Sequence, residues 1–107
     1  MSDLFTIMSL EETQKGIDRS SPVPVVVAQQ SDSLLTVLYT PRDKDVQEPH
    51  GQDEIYVVAA GDAVLEVGGN RTALRQGDAA FVAAKAQHCF LDMSDDFAVW
   101  AVFPGSA

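Results

Sequence analysis

Two histidines occur in the chain, His50 and His88, 38 residues apart. His50 lies in the stretch QEPHGQDEIYVVAAG, residues 47–61, between Glu48 and Glu54. Imidazole nitrogens and carboxylate oxygens are the donors that hold divalent transition metals while leaving positions open for water or substrate. The sole cysteine, Cys89, allows no intrachain disulfide and no cysteine-rich zinc knuckle. Any metal bound here must therefore be held by histidine and carboxylate. Cys89 itself reads as a buried, inert thiol. Alternation along its strand turns it away from His88, and no base stands near it in sequence.

In a strand, alternate residues share a face. Carried through Gly51, that alternation sets Glu48, His50, Gln52, Glu54, Tyr56 and Val58 on one side, with Ile55 and Val57 on the other. Both faces of 54–58 are largely apolar, so the strand is expected to be buried on both. Glu54 then enters an interior, where an uncompensated carboxylate costs several kcal/mol. A metal or a partnering cation removes that cost, and no Lys or Arg stands near in sequence.

The elements that must position these groups are short strands. With 107 residues, 46% of them hydrophobic, the chain has enough apolar side chains for one domain with one core. Residues 9–15, SLEETQK, are predicted to form a short helix, with Ser9 and Glu12 as a capping box and Gly16 as the stop. From residue 22 onward, β-branched and aromatic runs alternate with turn residues. They predict strands at 23–29, 34–39, 54–60, 62–67, 71–74, 79–83, 88–92 and 97–103. Gly61–Asp62 and Gly68–Gly69–Asn70 read as hairpin turns. Phe81, Phe90 and Trp100 are expected to line the barrel, with Phe90 on His88's face. Closely spaced strands without long helices predict an all-β sandwich or small barrel, closed most economically as a two-sheet jelly roll.

Seven basic against sixteen acidic residues leave a net charge of −9, which argues against nucleic acid and anionic membrane surfaces as partners. The longest apolar runs, such as VPVVVA, fall far short of the roughly 20 residues a membrane helix needs. The acidic start, MSDLFTIMSLEE, has no basic n-region, so a cytoplasmic protein is expected. The run Asp92–Asp96 reads as a solvated turn, because a calcium loop needs more widely spaced oxygen ligands.

Glu54, six residues and Gly61 resemble the end of the first motif of the cupins, G-x5-H-x-H-x3,4-E-x6-G. Gly77 followed by His88 resembles the second, G-x5-P-x-G-x2-H-x3-N. The likeness covers about residues 34–103. With three residues before Glu54, His50 takes the second histidine position of the first motif and Glu48 the first. Arg42 replaces that motif's opening glycine. In the second motif Ala83, Lys85 and Asp92 replace the proline, the inner glycine and the asparagine. The segment also resembles small single-domain cupins of the cupin 2 conserved-barrel type that carry P-H-x-Q-D-E-x-Y-V.

The resemblance implies a double-stranded β-helix barrel over residues 22–107, preceded by a segment, 1–21, holding the short helix. It implies one divalent metal (Fe, Zn, Ni or Mn) on His50, Glu54 and His88, inside the barrel mouth. Glu48 stands as a fourth ligand, as a general base over the metal, or as a loop residue. Gln52 donates to a ligand or caps the turn. Tyr56 either offers its hydroxyl to substrate or to a ligand, or is a core aromatic. The expected activity concerns a small molecule. It is either metal-dependent dioxygenase, isomerase or lyase chemistry, or metal-dependent binding or sensing without turnover, since fold alone does not choose. A homodimer is expected, with the apolar strand VPVVVA as its interface edge.

Overall fold

A computed structural model describes residues 4–45, 49 and 51–104. Among them are one helix, α1 (Leu10–Gln14), and eight strands: β1 (Val25–Gln30), β2 (Leu34–Tyr39), β3 (Glu54–Ala60), β4 (Asp62–Val67), β5 (Asn70–Arg75), β6 (Ala79–Val82), β7 (His88–Leu91) and β8 (Ala98–Pro104). They form two antiparallel sheets, ordered β1-β2-β8-β3-β6 and β5-β4-β7. This is the two-sheet barrel that the strand pattern predicts, and each strand lies within a few residues of its expected place.

The helix forms where a cap is available. The Ser9 hydroxyl accepts from the Glu12 amide at 3.2 Å, while the Glu12 carboxylate pairs with Lys15 at 2.9 Å. Gly16 then brings the chain close to β1, and a Cβ there would stand 3.2 Å from Val26 Cγ2. Arg19 fastens the segment to the barrel through the hydroxyl and carbonyl of Thr40.

Alternate residues of each strand turn inward, and the two inner faces meet in one core. Tyr56 of β3 meets Phe90 of β7 edge to face at 4.9 Å, and Phe90 meets Phe97 at 5.0 Å. These three almost fully buried rings join the two sheets, each contact adding about 1 kcal/mol beyond its buried area. Two expectations about faces fail. β3 is buried on one side only: Ile55 is 46% exposed. Phe81, which pairs with Ile55 and is 64% exposed, faces outward with it, as does half-buried Trp100 opposite Val57. Both faces of these strands are apolar in sequence, so composition could not tell which one the second sheet would cover.

The two glycine turns also differ. Gly68 and Gly69, at φ 56° and 88°, make the two-residue hairpin between β4 and β5. Gly61 makes no hairpin, because β3 pairs with β8 and β6 and β4 pairs with β5 and β7. It is the corner where the chain leaves one sheet for the other, with φ of 71°. A Cβ on it would lie 2.3 Å from Ser94 Oγ and 2.9 Å from Phe97 Cα. Gly77, at φ 95°, and three non-glycine residues, Asp43 at 61°, Lys85 at 68° and Asp92 at 51°, occupy the same left-handed region.

Gly61→Ala should therefore lose about 2–4 kcal/mol in chemical denaturation, from left-handed strain and overpacking together. Lys85→Gly should do the reverse. Relief of its strain outweighs the greater freedom of the unfolded chain, for a gain of about 0.5–1 kcal/mol.

Candidate functional site

β3 carries Glu54, Tyr56 and Val58 inward, and β7 carries His88 and Phe90 inward from the opposite sheet. Because the strands face each other across the core, His88 meets two polar groups of β3 from which it is remote in sequence. His88 Nε2 lies 3.5 Å from Glu54 Oε1 and 3.1 Å from the Tyr56 hydroxyl. Glu54 is 3% exposed and His88 8%, so the cluster is screened from water.

The turn before β7 settles the orientation of the ring. The Ala86 amide donates to the Ala83 carbonyl at 3.2 Å, and Lys85 takes its left-handed conformation between them. This aims the Ala86 carbonyl at His88 Nδ1, 2.8 Å away. A carbonyl can only accept, so Nδ1 carries a proton. In the neutral ring the Nε2 lone pair then points at Glu54 and Tyr56. Ring orientation by a backbone carbonyl is the usual arrangement of a metal-binding histidine.

A buried carboxylate and an imidazole lone pair directed at one point suit a divalent cation. Among the described residues no group of three or more metal-ligating side chains is found, and Glu54 with His88 forms a pair. The other expected ligands, His50 and Glu48, lie outside the described residues. The Tyr56 ring is core, packed on Phe90, and its hydroxyl meets His88 Nε2. The Gln52 side-chain amide donates to the Pro104 carbonyl at 3.0 Å.

Sequence reasoning missed Asp45. Its carboxylate accepts from the Tyr39 hydroxyl on β2 and from the Phe90 amide on β7, the latter at 2.7 Å. It thus ties the two sheets together immediately before the segment bearing Glu48 and His50. Burial, and then the neighbouring Asp45 carboxylate, push the Tyr39 phenol well above its ordinary pKa. No spacing rule would have found this contact, because its partners lie on strands remote in the chain. Cys89 behaves as expected. It faces away from His88, partly buried beside Glu66, and burial and that carboxylate raise its pKa against thiolate formation.

Beside Glu54 lies a cavity of about 170 Å³, lined also by Tyr56, Tyr39 and apolar residues of β2 and β8 and the β1 edge. Phe90, expected to line the barrel on His88's face, is sealed in the core at 1% exposure.

Glu54 beside Nε2 raises the His88 pKa above its ordinary value, against an opposing effect of burial. Protonation is thereby favoured by folding. The resulting stability is fully present below the unfolded value of about 6.5 and is lost as pH rises through the folded value. Chelator-treated protein should show that loss in denaturation curves, and Glu54→Gln should flatten it. A wild type no steeper than the variant would remove the Glu54–His88 coupling.

Residues 35–104 match the model of the cupin domain, Cupin_2. A stretch of 59 residues is 41% identical to an uncharacterised protein of Streptomyces coelicolor, spanning 55% of this chain and 56% of that one. The chain thus matches little more than half the length of this curated relative. Among solved structures, an RmlC-like cupin from Shewanella frigidimarina superposes with a TM-score of 0.73 at 15% identity, covering 95% of this chain and 93% of that one. KdgF from Halomonas sp. gives 0.72 at 19% identity, with 84% and 86% covered. TT1209 from Thermus thermophilus gives 0.69 at 25% identity, with 94% and 98% covered. The Shewanella and Halomonas structures bear on the fold alone. The family match over residues 35–104, on a barrel of two antiparallel sheets, means that this chain belongs to the cupin family.

Proposed function

We propose that this cupin holds one divalent metal through His50, Glu54 and His88 and uses it to bind or transform a small molecule, in the cytoplasm. The observation that carries the reading is the convergence of a buried carboxylate and a carbonyl-oriented imidazole at 3.5 Å, at the wall of a cavity. A metal bound there supplies Lewis acidity toward an oxygen or nitrogen of the ligand. The chain's own residues do the rest. The Ala86 carbonyl keeps the lone pair on Nε2, Tyr56 offers a hydroxyl beside it, and the apolar walls exclude water. Glu48, if it reaches the site, serves as a further ligand or as a base.

Elemental analysis of protein purified without added metal is the test. About one equivalent of Fe, Zn, Ni or Mn is expected, with affinity falling at least tenfold in Glu54→Gln and in His88→Ala and strengthening as pH rises and His88 deprotonates. No bound metal, with stability indifferent to chelator, removes the reading. Oxygen uptake by the Fe(II) form across catechols, thiols and small acids then separates turnover from binding.

The proposed homodimer uses β1, an edge strand of the five-stranded sheet, whose Val25 and Val27 are 42% and 55% exposed. An apolar edge of this kind invites strand pairing with a second copy. Light scattering should give a dimer mass, reduced to a monomer by Val27→Lys. A wild-type monomer at micromolar concentration refutes the pairing.

A further inference from the structure

The cavity beside Glu54 is specific in size, lining and charge, and these three properties together narrow what can enter it. Its volume of about 170 Å³ is close to the ~150 Å³ of an apolar protein cavity known to hold benzene, and well below the ~300 Å³ where drug-sized sites begin. Val23, Val25, Val37, Ala101 and Phe103 supply its apolar walls. The hydroxyls of the two lining tyrosines are directed to other partners, Tyr39 to Asp45 and Tyr56 to His88 Nε2. They therefore present ring surface to the cavity. Among the described lining residues none is Lys or Arg, and the charged group is the Glu54 carboxylate. Val23 and Val25, 39% and 42% exposed, mark the side open to solvent.

We propose that this cavity takes an uncharged molecule of single-ring size, carrying one hydroxyl-type donor that meets the Glu54 carboxylate. A hydroxyl gives that carboxylate a charge-assisted hydrogen bond. A ligand carboxylate would instead be desolvated against a like charge, in a chain whose net charge is already −9. The apolar body gains by leaving water for the valine and phenylalanine walls. This proposal rests on reading the Glu54–His88 pocket as a ligand site and adds the class of ligand.

The test uses the full chain, with methyl-labelled valines, both as purified and after chelation. Phenol, toluene and benzoate are titrated while the Val25 and Val37 methyl resonances are followed. Phenol should shift them saturably. Toluene should bind more weakly, and benzoate at least tenfold more weakly than phenol on the stripped protein. Val25→Asp, at an exposed edge position, should weaken phenol at least tenfold. Val25→Phe, which occupies the space without adding charge, should do the same and covers the case in which the charged variant is poorly folded. Absence of saturable phenol binding overturns the proposal. So does benzoate binding as tightly as phenol, or phenol binding untouched by both variants. Metal content is measured in the same samples. Stripped protein that binds phenol but takes up no metal fails the metal reading alone, and protein that takes up metal but ignores phenol fails this one alone.

Discussion

The structure turns on one buried carboxylate. Glu54 stands on an inward-facing position of β3, 3% exposed, in a barrel whose other inward residues are almost all apolar. An ion so placed must meet opposite charge or hydrogen-bond donors, since isolated burial costs several kcal/mol. His88, brought from the opposite sheet, stands 3.5 Å from it. The separation is maintained by apolar packing immediately beneath. Tyr56 and Phe90, one step further along each strand, are locked edge to face, and Phe90 rests on Phe97. Core and site are therefore one stack, with polar ends above and aromatic rings below.

The backbone corners explain how His88 reaches its place. Four positions of the two cupin motifs, Gly61, Gly77, Lys85 and Asp92, all have left-handed φ. Two keep glycine, which adopts that conformation at no steric cost. The lysine and the aspartate adopt it against their preference. Lys85 lies in the turn that aims the Ala86 carbonyl at His88 Nδ1, so a strained residue determines which imidazole nitrogen carries the lone pair. The motif residues other than Glu54 and His88 thus act on the candidate site through backbone geometry.

β1 has two functions at once. Val25, with Val23 just before the strand, bounds the open side of the cavity, and the strand's outer edge has no neighbour in the sheet. Asp45 plays a comparable joining role on the other side, holding β2 to β7 just before the segment that bears His50. The pocket is consequently bounded by elements from the first, middle and last parts of the barrel.

Local pattern was enough to read the strands, because alternation of period two and turn residues are properties of neighbouring residues. The spacing from Glu54 to Gly61 and from Gly77 to His88 likewise named two candidate residues that the fold brings together, while His50 and Glu48 lie outside the described residues. Pairing was not legible. Gly61–Asp62 has hairpin chemistry, yet it turns a corner between sheets, because β3 finds its partners in β8 and β6. Nor could composition place Phe81 and Trp100, whose strands are apolar on both faces. Asp45 and the valine walls were invisible for the same reason. Their contacts join residues far apart in the chain, and only the register between distant strands decides which side chains share a pocket.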